Sequence, residues 1–104
     1  MNASDQCNLG TSRVVIAGEM TIYTARDWRD RLLVAMSAPG DVELDLSGVS
    51  DIDAAGIQLL VSLRVEAAAA DRNLRLFDVS ARVREALTFC RLTDFFSTAP
   101  LAQA

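Results

Sequence analysis

Leu44-Asp45-Leu46-Ser47-Gly48-Val49-Ser50-Asp51-Ile52-Asp53-Ala54-Ala55-Gly56-Ile57-Gln58-Leu59-Leu60 is the stretch on which the fold turns. Val42-Glu43-Leu44-Asp45-Leu46 alternates apolar and acidic residues, the period of a strand with one buried face. Ser47-Gly48-Val49-Ser50 has the composition of a turn. A helix is predicted from about Ala54 to Ala70, and Asp53 is placed to cap it by accepting from the orphan amides of the first turn. Gly56 fits either a close backbone approach within the chain or a surface that a partner must reach.

Upstream, Val14-Val15-Ile16-Ala17 is closed by Gly18, and Met20-Thr21-Ile22-Tyr23 follows. The two short runs predict a strand, a bend and a second strand. Thr24-Ala25-Arg26-Asp27 has the form of a capping box. Ala25, Trp28, Leu32 and Ala35/Met36 recur at helical spacing, Asp27 and Arg31 form an i,i+4 pair, and Pro39-Gly40 stops the helix. Downstream, Asp71 and Asn73 end the second helix and Leu74-Arg75-Leu76-Phe77 reads as a strand. Ser80 caps a third helix with Val83, Leu87 and Cys90 on one face, and Leu92, Phe95 and Phe96 form an apolar plug. The order is β-β-α-β-α-β-α. It predicts an α/β fold with a mixed sheet and helices packed mainly on one face. Val14, Ile16, Leu44, Leu46, Ile57, Leu60, Leu76 and Leu87 are the expected core. The folded domain is placed at residues 13–96, between polar tails at 1–12 and 97–104.

The 104 residues make one small domain, with 51% hydrophobic and 23% charged residues. No apolar run approaches the ~18 residues that span a bilayer, so direct membrane insertion is not expected. Met1–Gln6 has neither the basic start nor the apolar stretch of a signal peptide, and a cytoplasmic location is expected. There is no histidine, and all ten basic residues are arginine. That excludes P-loop chemistry, Schiff bases and the lysine of a receiver-type phosphorelay domain. The net charge of −4 leaves no basic footprint for nucleic acid. Cys7 and Cys90 form no C-x-x-C pair and read as free thiols.

No catalytic constellation stands out, so a non-enzyme is expected, with no cofactor and no metal. Asp51-x-Asp53 followed by Gly56 has the start of a calcium loop. Such a loop needs an oxygen ligand at position 55 and a glutamate at 62, where Ala55 and Ser62 stand. Glu43, Asp45, Asp51 and Asp53 read as a solvated strand edge and its loop rather than a magnesium cluster. Ser47 and Ser50 are explained by turn chemistry, with a substitute phosphosite as the sharper alternative. Gln58, Ser62, Val65 and Ala69 form an expected exposed stripe with little charge, suited to docking.

The stretch from Leu44 to Leu60 resembles the STAS family, the sulfate-transporter and anti-sigma-factor-antagonist domains. The family hallmark is an L-D-L-S-x-V strand and turn, then D-[ST]-[ST]-G-[LIV] at a helix start. Gly18-Glu19-Met20-Thr21, the helix from Ala25 to Leu33 and Val83-Arg84-Glu85-Ala86-Leu87 extend the resemblance over roughly residues 13–96. In phosphoregulated antagonists the serine before the motif glycine is phosphorylated by a partner kinase. Here that position is Ala55 and its neighbour is Ala54, so neither can accept a phosphoryl group. Arg91 stands where the family commonly has a glycine after the third helix, which puts the usual left-handed stop in question. The resemblance implies a protein-binding module locked in its unphosphorylated form. Its expected docking residues are Ser47, Ser50, Asp51, Asp53, Ala54, Ala55, Gly56, Gln58 and Ser62. The implied partner is an anti-sigma factor or a histidine-kinase-like ATPase in a bacterial regulatory pathway. The alternatives are a structural subunit of a phospholipid-moving ABC transporter ATPase and a component of a chemosensory kinase pathway.

Overall fold

The structure, a computed structural model, describes residues 11–96. Its elements are β1 (Thr11–Met20), α1 (Ala25–Met36), β2 (Asp41–Ile52), α2 (Ala54–Ala69), β3 (Leu74–Phe77), α3 (Ala81–Phe89) and α4 (Thr93–Phe96). The strands form one sheet in the order β1-β2-β3, and both pairings are parallel. The α/β fold is as expected; the mixed sheet is not seen among the described residues. Val14–Ala17 and Met20 belong to one strand, and Thr21–Tyr23 form the turn after it. β1 also starts at Thr11, two residues inside the expected tail. The tails at 1–10 and 97–104, and Cys7, lie outside the described residues.

Burial along the strands alternates as a sheet with one covered face requires. Ile16, Val42, Leu44, Leu46, Leu74 and Leu76 are buried. They form one cluster with Leu32 and Met36 of α1, Ile57, Leu60, Leu63 and Ala67 of α2, and Val83 and Leu87 of α3. Each such large side chain contributes about 1.5–3 kcal/mol relative to exposure. Of the expected core, Val14 alone is only half-buried, packed against the cluster's edge. The opposite face carries polar and charged side chains. Arg13 and Arg75 both reach Glu43, at 3.2 and 3.5 Å, and Arg13 lies 4.2 Å from the centre of the Phe77 ring.

Two irregularities between β1 and β2 sit where sequence reading placed a turn. Ser47–Ser50 continue β2, but with extra residues. Val15 pairs with Asp45 and Ala17 with Gly48, so two residues of β2 face one of β1; Gly18 pairs with Val49 and Glu19 with Asp51, which leaves Ser50 over. Each bulge shifts the inward phase by a residue. Leu46, Val49 and Ile52, three apart, are therefore all buried. That spacing cannot arise in a regular strand, which is why the segment reads as a break. Gly18, at φ +87°, absorbs the matching kink in β1.

Helix ends follow two rules. α2 and α3 each stop in a Schellman turn. At the end of α2 the Arg72 amide donates to the Ala67 carbonyl (2.8 Å) and the Asp71 amide to Ala68 (3.0 Å), with Asp71 left-handed at φ 59°. At the end of α3 the Leu92 amide donates to Leu87 (2.8 Å) and the Arg91 amide to Thr88 (3.0 Å). Arg91 itself takes φ 59°, so the left-handed stop is kept without the glycine. Cys90, expected on the apolar face, is exposed at this end because it caps the helix rather than continuing its buried stripe. The guanidinium of Arg72 then donates to the carbonyls of Met36, Ala38 and Gly40 at 2.6–2.8 Å, closing the C-terminus of α1.

The start of α1 differs from the expected capping box. Thr24 is the N-cap but its side chain does not cap. Its hydroxyl is already engaged by the preceding turn, accepting from the Thr21 amide and donating to the Glu19 carbonyl, both at 2.9 Å. Arg31, placed to pair with Asp27, lies over the Trp28 ring at 4.8 Å. At the far end Phe95 and Phe96 meet edge to face at 4.9 Å beside Leu92, forming the expected plug.

Candidate functional site

The ends of β1 and β2 and the start of α2 converge on Asp53. Its Oδ1 accepts from the amides of Ala55 (2.9 Å) and Gly56 (3.2 Å), the N-cap role expected of it. Its Oδ2 accepts from the Ile22 amide at 3.0 Å, in the turn between β1 and α1. The Asp53 amide in turn donates to the Met20 carbonyl at 3.2 Å. One aspartate therefore ties the helix start to a turn 31 residues away. The Ile22 amide, then those of Gly56 and Ala55, favour the ionised form and hold the Asp53 carboxyl below the ordinary aspartate range.

Gly56 is buried, and its role is internal. A Cβ there would run into the carbonyl oxygen and Cβ of Met20 and would stand 2.8 Å from Ile52 Cγ1. The absence of a side chain lets the first turn of α2 lie directly on the ends of β1 and β2. Of the two readings left open by the sequence, close packing within the chain is the one the geometry accounts for.

The other expected site residues fall into two groups. Ala54 and Gln58 are exposed on α2, with Ala55 and Ser62 half-buried beside them; Val65 and Ala69 continue the exposed stripe. Ser47 and Ser50 are exposed on the bulged part of β2, and Asp51 is half-buried at its end. Ser47 is tied locally, its hydroxyl donating to Asp45 Oδ1 at 2.7 Å and its amide to the same oxygen at 3.0 Å. Those two bonds, the amide first, lower the Asp45 carboxyl. Asp51 Oδ1 pairs with Arg82 at the start of α3 at 3.4 Å.

The four carboxylates of the strand edge do not gather. Glu43 faces Arg13 and Arg75, Asp45 faces Ser47, Asp51 faces Arg82, and Asp53 faces backbone amides. Among the described residues no group of three or more histidine, cysteine, aspartate or glutamate side chains could hold a metal ion. The two residues that follow Asp53 at the helix start, Ala54 and Ala55, carry only methyl side chains. Beyond the Asp53 carboxylate, which is bound to backbone amides, the helix start presents small uncharged side chains.

Sequence reading missed Ile22 and Tyr23. Placed in a strand, they were given no site role. They are in fact the exposed tip of the β1–α1 turn, 68% and 90% exposed, joined to the helix start through Asp53. The available signal was Thr21 and Thr24 flanking them, two hydroxyl residues suited to a local turn.

The fold and this helix start define the class. The family model described as "Mlab, STAS domain" matches residues 4–99, and the chain belongs to the STAS family. No curated protein matches the chain significantly. STAS domains are generally non-enzymatic, and among the described residues no helix is long and apolar enough to cross a membrane.

Proposed function

We propose that this chain is a non-enzymatic STAS module, locked in the binding-competent form, that docks in the cytoplasm onto an anti-sigma factor or a related histidine-kinase-like ATPase. The observation that carries the reading is the start of α2. Asp53 is consumed by three backbone amides, and the two residues after it offer methyls where phosphoregulated STAS proteins offer hydroxyls. A phosphate there would add about −2 of charge to a flat small-residue surface and would have to be desolvated against an apolar contact. With Ala54 and Ala55 that switch has no acceptor. The docking surface comprises Ala54, Ala55, Gln58 and Ser62 with the rim formed by Ser47, Ser50, Asp51 and Asp53.

A second reading is a structural subunit seated permanently on an ABC transporter ATPase. The same uncharged helix start favours it, since constant docking needs no release step. Affinity purification of the tagged chain from its native cells, with mass spectrometry of what co-purifies, separates these. A histidine-kinase-like ATPase supports the first reading, an ABC ATPase the second, and a chemosensory kinase a third. Incubated with a recovered kinase and ATP, the chain is expected to gain no phosphate between Asp53 and Gly56. Phosphate on Ser47 or Ser50 that weakens binding would contradict the locked state.

A further inference from the structure

The β1–α1 turn is built as a rigid pedestal. Each of its five successive backbone amides has an acceptor. Thr21 donates to Thr24 Oγ1 (2.9 Å), Ile22 to Asp53 Oδ2 (3.0 Å) and Tyr23 to Thr21 Oγ1 (3.3 Å), while Thr24 and Ala25 donate to the Thr21 carbonyl (3.0 and 2.8 Å). Thr21 is buried, and Trp28 Nε1 holds the Glu19 carbonyl at 3.1 Å. A turn fixed at every amide loses little conformational freedom on binding. What it carries is two large apolar side chains facing water. Adjacent exposed apolar groups on an ordered support are the composition of an interface anchor.

The surroundings state what kind of partner fits. The charged residues shown in contact with this turn or its flank, Glu19 and Asp53, are both acidic and exposed, while the first turn of α1 adds one exposed residue of each sign, Arg26 and Asp27. Asp53 spends its charge on backbone amides rather than on a cation. The whole chain is acidic as well, at −4. We infer that Ile22 and Tyr23 are the anchor of the docking surface, inserting into an apolar cleft of the partner protein that is rimmed by arginine or lysine. This rests on the docking reading above and adds to it the element that supplies the affinity. Ala54 and Ala55 provide a surface without obstruction, and the apolar tip provides the area buried. Asp53 is then a positioning residue, holding the tip at a fixed place beside the helix start.

The test is photo-crosslinking in the native cells, with the full chain carrying Tyr23→benzoylphenylalanine, Gln58→benzoylphenylalanine or, on the outer face of α1, Val34→benzoylphenylalanine. Adducts are mapped by mass spectrometry. The expected result is an adduct from position 23 within an apolar, arginine- or lysine-flanked segment of the protein that position 58 also labels. With that protein purified, Tyr23→Ala is expected to weaken binding about thirtyfold while thermal unfolding is unchanged. The affinity of the parent should fall as salt rises. An adduct at 58 without one at 23, an adduct at 23 in a polar or acidic segment, or a loss below about threefold for Tyr23→Ala overturns the anchor and leaves the docking reading standing. Adducts at neither 23 nor 58 overturn both.

Discussion

Asp53 Oδ2 accepts from the Ile22 amide at 3.0 Å, so the residue that starts α2 also sets the conformation of the β1–α1 turn. A helix cap usually serves its own helix. Here the second oxygen also fixes the β1–α1 turn, beside the place where the first turn of α2 lies on Met20 at the end of β1.

Loss of that link should be visible in stability. Asp53→Ala removes acceptors for three amides and is expected to cost about 2–3 kcal/mol, more than the ~1 kcal/mol of an ordinary cap. Asp53→Asn keeps one carbonyl oxygen but turns an amide group toward a donor, so it should fall between. Urea unfolding of the two variants checks the order. Equal stability of Asp53→Ala and the parent would mean that water satisfies all three amides.

The same carboxylate predicts a pH dependence. Its folded pKa lies below the ordinary aspartate value, because the Ile22, Gly56 and Ala55 amides favour the charged form. Its contribution is therefore complete above the ordinary value of about 3.9 and is lost as pH falls through the lower folded value. Asp41, lowered chiefly by the Asn73 amide, and Asp45 titrate in the same window. The diagnostic is the gap in unfolding temperature between parent and Asp53→Asn. It should hold steady from about pH 7 to about pH 5 and close below about pH 4. A gap that stays constant down to pH ~3 would contradict the assignment.

Gly56→Ala should be the most damaging single-methyl change on this face. The new Cβ would meet backbone, the Met20 carbonyl, which cannot rotate aside as a side chain could. A cost of about 3 kcal/mol or more is expected, near the upper end for overpacking. Gly18→Ala, where space is open but φ is +87°, should cost only about 1 kcal/mol. Chemical denaturation of the pair measures the difference. Comparable losses at both positions would mean that α2 slides outward freely.

Arg91→Gly is expected to stabilise the protein. Arg91 sits at φ 59° at the end of α3 with its amide donating to Thr88, a geometry glycine adopts without steric cost. Relief of about 1–2 kcal/mol is offset in part by the freer unfolded chain, leaving a gain of about 0.5–1 kcal/mol. Differential scanning calorimetry should show a rise of a few degrees. A fall would indicate that the arginine side chain contributes more than its backbone costs.

These comparisons also show where the sequence was legible. Asp53, Ser80 and the Val42–Leu46 alternation carry local signals that tertiary packing does not override, so these two caps and the central strand read correctly. The β1 turn and the 47–50 segment did not read correctly, because both depend on pairing between distant strands. Gly18 and Ser50 are breaks in a one-dimensional pattern and continuous sheet in three dimensions. Thr24 looked like a capping box because its competing partners, the Thr21 amide and the Glu19 carbonyl, are fixed only by the turn itself. Of the candidate site, the α2 start was visible through its motif. Ile22 and Tyr23 were hidden by β-forming composition, which says nothing of exposure.

The central claim is that the uncharged start of α2 is a docking surface. Calorimetric titration of Ala55→Glu against the purified ATPase that co-purifies with the chain tests it most directly. An acid in the first turn of a helix favours the macrodipole by about 0.3–1 kcal/mol, so the variant should unfold at or slightly above the parent's temperature. A charge buried without a partner at an interface typically costs about 2–5 kcal/mol, so its affinity should fall by well over tenfold, while Ala55→Ser binds nearly as the parent does. Stability held and affinity lost is the predicted result. Affinity unchanged for Ala55→Glu would contradict the account and place the partner on another face.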